Sequence, residues 1–329
     1  MRYCNNRGRG EGGTGNNRGQ LGVWARLDVG EHPPTPPYSS VPIITMPSVV
    51  VTGSNKGIGL QIVKGLVEKG YTTFLGSRDV ARGEAAKESL GEAAKDLVHV
   101  VQLDVNDAAS VNAAVETVKG ALGGKPLDGL INNAGGIAGG SGGMGYSSPE
   151  HFVGTMELNY LHSAVRVTEA FLPILDQESG KGRIVHVSSG AAPSYVSKCS
   201  PEKIAALCHF DQTSMEGLQA IYDESVAIAK GGGSDAEAVK AAFAAAGLAD
   251  GAPYHLSKAL MNGYTQVLCK TYPKLKVNSC SPGFIETDLT RPFAEGSGKT
   301  PAEMGMLPVE NGARCPLFLM TADFEGNGW

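Results

Sequence analysis

Two side chains that could act as an acid and its positive partner stand four residues apart, Tyr254 and Lys258. They open an amphipathic segment, residues 255–272, whose apolar spacing predicts a helix. Side chains four residues apart lie on one face of a helix, one turn from each other. A lysine cation about 4 Å from a phenol, at an effective dielectric near 20, favours the phenolate by about 4 kcal/mol, or roughly three pKa units. The pair is therefore predicted to carry out acid–base chemistry near neutral pH.

A second pair with the same spacing, Tyr272 and Lys276, is predicted to be inert. Pro273 follows that tyrosine at once, and Lys276 begins an apolar run that predicts a strand. Ser188 and Ser189 end a different apolar run, and a hydroxyl at the carboxyl end of a parallel strand can hydrogen-bond a substrate carbonyl oxygen. The residues alone leave the choice between these two serines open.

A glycine-rich turn follows the first apolar run and leads into a helical pattern: Thr52, Gly53, Ser54, Asn55, Lys56, Gly57, Ile58 and Gly59. Glycine lets the backbone turn tightly and lets a diphosphate approach main-chain N–H groups at the positive end of the helix. No Gly-Lys-Ser/Thr follows, which excludes a P-loop. The turn predicts phosphate binding, and an ordinary flexible loop is the alternative.

The elements that position these residues alternate between short apolar runs and longer amphipathic segments. Strands are predicted at residues 48–52, 72–76, 98–103, 129–132, 183–188 and 275–280, and helices at 58–69, 80–94, 107–122, 149–176 and 255–272. Parallel strands need long crossovers, so this alternation predicts an α/β fold, an open parallel sheet with helices on both faces.

Residues 190–253 interrupt the alternation with helix signals alone and are predicted to be a helical insertion. Capping boxes are predicted at Thr213 with Glu216 and at Ser234 with Glu237. Residues 1–45 are rich in glycine and proline without apolar periodicity, and we expect a disordered tail or a gene-model extension before a single domain, 46–329. A targeting presequence is the other interpretation. The chain ends at Trp329, where a further strand would be expected, so the last strand could be missing.

The composition of the chain limits the classes of partner that it can be expected to bind. The chain has 329 residues, with 28 basic and 33 acidic side chains, and this balance argues against a broad surface for nucleic acid. No apolar run is long enough to span a membrane, and the six cysteines and seven histidines show no metal-ligand spacing. We expect a soluble, cytoplasmic protein with reduced thiols, no metal and a small-molecule partner.

The motifs occur in an order that resembles short-chain dehydrogenases/reductases over essentially all of residues 46–329. They are the glycine turn, Asn132-Asn133-Ala134-Gly135, the Ser188-Ser189 pair, Tyr254 with Lys258, and Pro282-Gly283 followed by Thr287. The likeness is closest to the monomeric carbonyl reductases, which similarly carry an Arg-Asp-Val-x-Arg-Gly stretch, here 78–83, and an insertion before the tyrosine.

The resemblance implies a Rossmann-type doubly wound parallel sheet in three α/β/α layers, and it implies roles for residues. Ser189 orients a carbonyl oxygen, Tyr254 donates the proton, and Lys258 and Asn159 support it. Asp104 and Val105 border the adenine, Asn133 the cofactor ribose, and Ile285 and Thr287 the nicotinamide carboxamide. His162 and His186 stand where relatives often have glycine and asparagine, and we interpret both as packing residues.

Cofactor choice is read at the end of the second predicted strand, where NAD enzymes need a carboxylate for the ribose 2′-hydroxyl. Ser77 and Arg78 occupy that place. The positive charges of Arg78 and Lys56 suit a 2′-phosphate, and Arg82 is a further candidate for the same contact. These charges predict NADPH/NADP+ as the cofactor. The Asp79 carboxylate keeps NADH possible as the cofactor. In the alternative interpretation, these basic side chains form only a solvated face.

Together these features predict an NADPH-dependent reductase of a ketone, aldehyde or quinone carbonyl. An NADP(H)-binding sensor without turnover is one alternative, and a ketoreductase of acyl-thioester or polyketide ketones is another. Apolar faces on the insertion, at residues 213–230 and 236–248, are predicted to cover the helices through which relatives form tetramers. We therefore expect a monomer, and an unpaired sheet edge is the feature that could instead drive association.

Overall fold

One parallel sheet of six strands organises the part of the chain that the computed structural model describes, residues 46–139 and 144–328. The strands are β1 Ser48–Val51, β2 Thr72–Ser77, β3 Val98–Gln102, β4 Gly129–Asn132, β5 Arg183–Val187 and β6 Lys276–Cys280. Their order is β3-β2-β1-β4-β5-β6, and each neighbouring pair is parallel. The predicted α/β class and doubly wound sheet are confirmed. The tail predicted over residues 1–45 lies outside the described residues.

Helices cover both faces of this sheet. Their bounds are α1 Gly57–Glu68, α2 Val80–Ser89, α3 Ala94–Leu97, α4 Ala108–Leu122, α5 Pro149–Met156, α6 Val167–Phe171, α7 Ala191–Val196, α8 Pro201–Cys208, α9 Met215–Gly232, α10 Ala236–Ala245, α11 Pro253–Thr271, α12 Arg291–Ser297 and α13 Val309–Thr321. None of these described helices is long and apolar enough to cross a lipid bilayer.

Strand β1 shows why the sheet needs two helical layers. Its four residues are all buried, with Val50 in one apolar core and Val49 and Val51 in the other. The first core contains residues of α4, α5, α6 and the helices up to α11, and the second contains residues of α1, α2 and α13. A parallel strand covered on both faces reads as a continuous apolar run, which is how β1 appears in the sequence.

The helix predicted over residues 149–176 is not continuous. Between α5 and α6 the backbone widens into π-helical turns over Glu157–Arg166, and a short 3₁₀ turn, Leu172–Ile174, ends the segment. Such widened turns are frequent at functional sites. Here they carry Asn159, which is fully buried. The prediction was wrong on this point because the apolar spacing of α5 and α6 continues across the widened turns.

Both predicted helix caps in the insertion are displaced by one residue. Ser214, not Thr213, caps α9, and its Oγ accepts from the Gly217 N–H at 3.1 Å. Asp235, not Ser234, caps α10 by accepting from the Ala238 N–H at 3.0 Å. Thr213 is engaged elsewhere, since its hydroxyl donates to the His209 carbonyl at 3.0 Å.

Residues 190–253 contribute helices α7 to α10 and no strand. Helix α9 packs against α5 and α11, and Gly263 of α11 allows this close approach. A Cβ added at Gly263 would lie 2.6 Å from Leu218 Cδ2 of α9 and 3.1 Å from the Leu207 carbonyl oxygen. Helices α7, α8 and α9 therefore pack against α11, and α10 packs against α9.

No strand follows β6 in the described residues, yet its outer edge is partly hydrogen-bonded. The Gly328 N–H donates to the Val277 carbonyl at 2.9 Å. The Asn327 side chain accepts from the Val277 N–H at 2.6 Å and donates to the Leu275 carbonyl at 2.9 Å. These contacts occupy backbone groups that an edge strand would otherwise expose.

Candidate active site

The predicted site residues meet at the carboxyl ends of β1, β4, β5 and β6. The glycine turn follows β1, Asn133 follows β4, Ser189 follows β5, and the segment that contains Ile285 and Thr287 follows β6. The strand order reverses between β1 and β4, and in open α/β sheets a ligand binds in the crevice at this position. The topology thus explains why residues far apart in sequence share one site.

Tyr254 is 8% exposed at the start of α11, and its hydroxyl hydrogen-bonds the Ser189 side chain. Burial raises the pKa of Tyr254, and the Ser189 hydrogen bond offsets part of this rise. Ser189 Oγ also accepts from the Ala191 N–H at 3.2 Å, which fixes the rotamer of the serine. The structure therefore joins the predicted acid and the predicted carbonyl-orienting hydroxyl directly.

Lys258 lies one turn further along α11 and is 3% exposed. Its ammonium donates to the Val187 carbonyl at 2.9 Å and lies 5.9 Å from the centre of the Tyr254 ring. Burial lowers the pKa of Lys258 to about 8, and the Cys280 thiol nearby opposes the change.

The sequence predicted that Lys258 lowers the pKa of Tyr254, and in this structure the Tyr254 pKa is instead raised. The ammonium is bonded to β5, not to the phenol, so burial of the ring dominates. A tyrosine with a raised pKa is protonated at neutral pH, as a proton donor requires.

Asn159 projects from the widened turns toward the backbone that follows β4. Its Oδ1 accepts from the Gly136 N–H at 2.9 Å, and its Nδ2 donates to the Gly136 carbonyl at 2.9 Å and to Ser257 Oγ at 3.1 Å. A Cβ on Gly135 would lie 2.8 Å from Asn159 Oδ1 and 3.4 Å from Lys258 Nζ. Asn159 and Lys258 thus border the same glycine.

The alternatives that the sequence offered, Ser188 and the Tyr272–Lys276 pair, use their polar side-chain atoms for other contacts. Ser188 is buried, and its hydroxyl faces the Lys258 carbonyl at 3.4 Å, so it serves backbone packing. Tyr272 follows the end of α11, and the Lys276 ammonium donates to the Phe324 carbonyl at 3.0 Å. The structure therefore brings together Ser189, Tyr254 and Lys258 and leaves Ser188, Tyr272 and Lys276 outside.

The glycine turn provides a backbone cradle. Gly53 and Gly57 have φ of +59° and +57°, a conformation that side-chain-bearing residues rarely adopt. A Cβ on Gly59 would lie 2.6 Å from the Gly53 carbonyl oxygen, whereas Gly57 faces open space with Thr287 Cγ2 at 4.0 Å. Ser54 is buried and donates to the Val51 carbonyl at 2.8 Å. Asn55 and Ile58 complete the turn, which leads into the N-terminus of α1 and fits a bound diphosphate.

Asn133 supports that cradle from β4. Its Nδ2 donates to the carbonyl oxygens of Thr52 and Gly53 at 3.0 and 3.1 Å. In return Thr52 Oγ1 accepts from the N–H groups of Asn133 and Ala134 at 3.0 and 2.9 Å. The amide nitrogen of Asn133, expected beside a ribose, is committed to holding the turn.

Lys56 is paired across the crevice. Its ammonium lies 2.6 Å from Asp288, whose other oxygen accepts from Arg291 at 3.0 Å. Lys56 and Asp288 are both exposed, so the ion pair adds little stability. It nevertheless links the glycine turn to the segment that contains Ile285, which is 2% exposed, and Thr287. Lys56 is therefore engaged with Asp288.

Arg78 follows β2 and lines an open cavity of about 480 Å³ together with Asp104. Val105, beside Asp104, is buried, and its carbonyl accepts from Arg166 at 3.0 Å. Asp79 caps α2 by accepting from the Arg82 N–H at 3.0 Å, and its carboxylate also pairs with the Arg82 guanidinium. The carboxylate that left NADH open is therefore engaged in capping.

His162 and His186 make ordinary polar contacts. His186 is fully buried, hydrogen-bonds Thr265 at 2.9 Å, and has its pKa lowered to about 3 by burial and by the Lys258 charge. His162 lies 3.0 Å from Asn106 Oδ1.

Sequence reasoning missed three residues that hold the site, Ser257, Ser281 and Asp288, and it missed the contact that Thr52 makes with the backbone after β4. Each acts through a hydrogen bond or ion pair to a residue distant in sequence, which no local pattern announces.

Comparisons with known proteins show what this chain is similar to. A sequence profile described as short chain dehydrogenase matches residues 47–201. A (+)-neomenthol dehydrogenase of Arabidopsis thaliana is 33% identical over 291 residues, 82% of this chain and 90% of that protein. The solved structure of salutaridine reductase from Papaver somniferum has a TM-score of 0.68 and 26% identity over 86% of this chain and 98% of that one. The solved structure of menthone neomenthol reductase from Mentha piperita has a TM-score of 0.60 and 32% identity, and the match covers 76% of this chain and 93% of that one.

The chain belongs to the short-chain dehydrogenase/reductase family. Because these relatives are oxidoreductases of the same family, the chain is an oxidoreductase.

Proposed function

We propose that this oxidoreductase reduces a ketone, aldehyde or quinone carbonyl with NADPH. The observation that carries the proposal is the placement of the Tyr254 hydroxyl against the Ser189 side chain, with the buried Lys258 one turn further along α11. A phenol and a hydroxyl that point to one spot can both hydrogen-bond a single carbonyl oxygen there. The same spot lies at the sheet edge where the glycine turn offers a diphosphate cradle.

In the proposed reaction bound NADPH supplies the hydride that reaches the carbonyl carbon. Ser189 donates a hydrogen bond that orients the carbonyl oxygen. Tyr254, held protonated by its raised pKa, gives its proton to that oxygen as negative charge develops. Lys258 places positive charge near the resulting phenolate. Asn159 borders the same glycine as Lys258 and holds the neighbouring polar groups in place.

The preference for NADPH rests on charges at the end of β2. Arg78 is exposed there beside Asp104, while Asp79 is occupied by the N-terminus of α2 and by Arg82. A guanidinium can bind a 2′-phosphate through paired hydrogen bonds, and an engaged carboxylate is poorly available to a 2′-hydroxyl. Lys56 would contribute only if it leaves Asp288.

An apolar rim supports a hydrophobic substrate. Phe284 and Leu307 are 39% and 48% exposed, and the Leu307 N–H donates to the Phe284 carbonyl at 2.8 Å. Phe284 directly precedes Ile285, so this surface adjoins the expected nicotinamide position. Two of the relatives above carry neomenthol or menthone in their names, and an apolar cyclic ketone such as menthone would suit the rim.

The proposal includes a monomer of cytoplasmic location with a small-molecule partner and no nucleic-acid or membrane partner. The monomer is supported by the packing of α8 and α9 on α11. The location is supported by free cysteines among the described residues, Cys199, Cys208, Cys269, Cys280 and Cys315.

A substrate panel tests the function. Full-length protein is mixed with NADPH and with menthone, quinones, diketones, aromatic aldehydes and thioester-linked ketones, and loss of the reduced nicotinamide absorbance is followed. Turnover of free carbonyls is the expected result. NADPH binding without turnover would select the sensor, and turnover confined to thioester-linked ketones would select the acyl-thioester or polyketide ketoreductase.

A further inference from the structure

Ser281 stands where the last two strands of the site part from each other. The backbone pairing of β5 with β6 ends with the Ser188 N–H, which donates to the Cys280 carbonyl at 2.8 Å. Beyond this bond one arm carries Ser189 and Gly190, and the other carries Ser281 and the residues up to Thr287.

The Ser281 side chain bridges the two arms immediately after that last backbone bond. Its Oγ accepts from the Gly190 N–H at 3.0 Å and from the Gly283 N–H at 3.3 Å. A serine hydroxyl oxygen has two lone pairs, so both acceptor positions are in use. The side chain thus extends the strand pairing by one step, at the point where the crevice opens.

Each arm carries one half of the proposed chemistry. Gly190 is bonded directly to Ser189, which orients the carbonyl oxygen. Gly283, at φ +92°, directs the other arm toward Ile285 and Thr287, the positions expected at the nicotinamide carboxamide. With nicotinamide held at Ile285 and Thr287 and a carbonyl held at Ser189, the separation of the arms would set the distance between the two reactants.

We propose that Ser281 is a positioning residue that clamps the Ser189 arm to the Ile285–Thr287 arm and so sets the hydride-transfer distance. The inference rests on the proposed function and names a residue that neither the sequence motifs nor the reaction assigns. Ser281 itself is exposed and touches neither catalytic group through its own hydrogen bonds.

Kinetics test the clamp. Ser281→Ala removes both hydrogen bonds, whereas Ser281→Thr keeps the hydroxyl, and the exposed position accommodates the added methyl. A displacement near 1 Å at a reacting centre can reduce the rate about 100-fold, so we expect kcat of Ser281→Ala to fall at least about tenfold. Its Kd for NADPH should stay within about twofold, its deuterium isotope effect from labelled NADPH should rise, and Ser281→Thr should stay within about threefold of wild type.

Ser89→Ala is the matched control, because that hydroxyl donates to the Ala86 carbonyl on α2, far from both arms. An unchanged kcat in Ser281→Ala overturns the clamp. Equal losses of kcat and NADPH binding in both Ser281 variants also overturn it, since they indicate a general structural role.

Hydrogen exchange separates this inference from the proposed function. With NADPH bound, the peptide containing Gly190 should exchange faster in Ser281→Ala than in wild type and in Ser281→Thr. If wild type reduces no carbonyl, the proposed function fails and exchange alone decides the clamp. Unchanged exchange at Gly190 would then overturn it.

Discussion

The ammonium nitrogen of Lys258 lies 2.9 Å from the carbonyl oxygen of Val187, the last residue of β5. This bond ties α11 to the strand that leads to Ser189, and it holds a charged group in a site where Lys258 is only 3% exposed. A buried ammonium loses hydration, which is why its pKa falls to about 8. The buried charge of Lys258 therefore lowers the stability of the fold.

Replacing the lysine should consequently stabilise the fold. Lys258→Met removes the buried charge, while the Val187 carbonyl loses a donor. The shift of the Lys258 pKa from 10.5 to about 8 corresponds to a cost of about 3 kcal/mol for burying the charge. Loss of the hydrogen bond to Val187 offsets about 1 kcal/mol of the gain from removing that charge. We expect the free energy of unfolding at pH 7 to rise by about 2 kcal/mol, with loss of turnover.

The pH dependence of this gain has a definite sign. Below pH 8 the lysine is charged in both folded and unfolded chains, so the burial penalty is complete. Between about 8 and 10.5 the unfolded chain binds more protons than the folded one, so wild-type stability rises relative to the variant. Urea unfolding across this range should show the advantage of Lys258→Met shrinking, and a constant or growing advantage would contradict the assigned pKa.

Tyr254→Phe should abolish turnover while NADPH binding survives. The change removes the proposed proton donor but keeps the ring that packs at the start of α11. We expect kcat to fall by at least about a hundredfold and the Kd for NADPH to change by less than about threefold. Steady-state kinetics and fluorescence titration with NADPH measure the two quantities.

Tyr272→Phe is the control for this experiment, because it carries the same substitution in the second Tyr-x3-Lys pair. Tyr272 caps the end of α11 through its backbone, away from Ser189. Its turnover should match that of wild type. Activity of Tyr254→Phe within tenfold of wild type would remove Tyr254 from the proposed mechanism.

The sequence predicted the sheet well because each strand is a local apolar run between turn signals. β4 matches its predicted bounds, and the other five strands differ by one residue at one end. Helix caps were displaced because neighbouring residues, Thr213 and Ser214 in one case and Ser234 and Asp235 in the other, are both able to cap, and only the position of the first turn decides between them. The widened turns at Asn159 were missed because their hydrogen bonds, not their apolar spacing, distinguish them.

The site was predictable only as far as its motifs reach. Tyr254 could be assigned because it opens a helix with Lys258 one turn further on, whereas the choice of Ser189 over Ser188 came from the family resemblance. The structure places the Tyr254 hydroxyl against the Ser189 side chain. The partner of Lys56 could not be assigned, since Asp288 lies 232 residues further along the chain. The Tyr254 pKa was mispredicted because a one-turn spacing does not show that Lys258 bonds to β5 instead.

Arg78→Asp should shift cofactor preference toward NADH. The substitution places a carboxylate beside the cavity that Arg78 and Asp104 line, where it repels a 2′-phosphate and can accept from a 2′-hydroxyl. We expect KM for NADPH to rise at least about tenfold while KM for NADH changes little or falls. Lys274→Asp is the control, because it makes the same change of charge at an exposed residue that pairs with Glu178 and precedes β6, at the opposite end of the strands from the site. Equal effects of Arg78→Asp on both cofactors would place Arg78 away from the 2′ position.

Light scattering should give the mass of a single chain at all concentrations. The face of α11 is covered by α8 and α9, with Leu218 fully buried, so the apolar surface available to a second copy is small. A stable mass of several chains that survives dilution would contradict this prediction.

Gly263→Val tests the reason for the monomer. A Cβ there already meets Leu218 Cδ2 at 2.6 Å and the Leu207 carbonyl at 3.1 Å, so valine should push α8 and α9 away from α11. We expect a loss of about 1 to 3 kcal/mol in the free energy of unfolding and a mass that rises with concentration. Gly120→Val is the matched control, since a Cβ at Gly120 of α4 meets nothing within 4 Å. If Gly263→Val is destabilised yet stays monomeric while Gly120→Val behaves as wild type, the cover on α11 is not what prevents association.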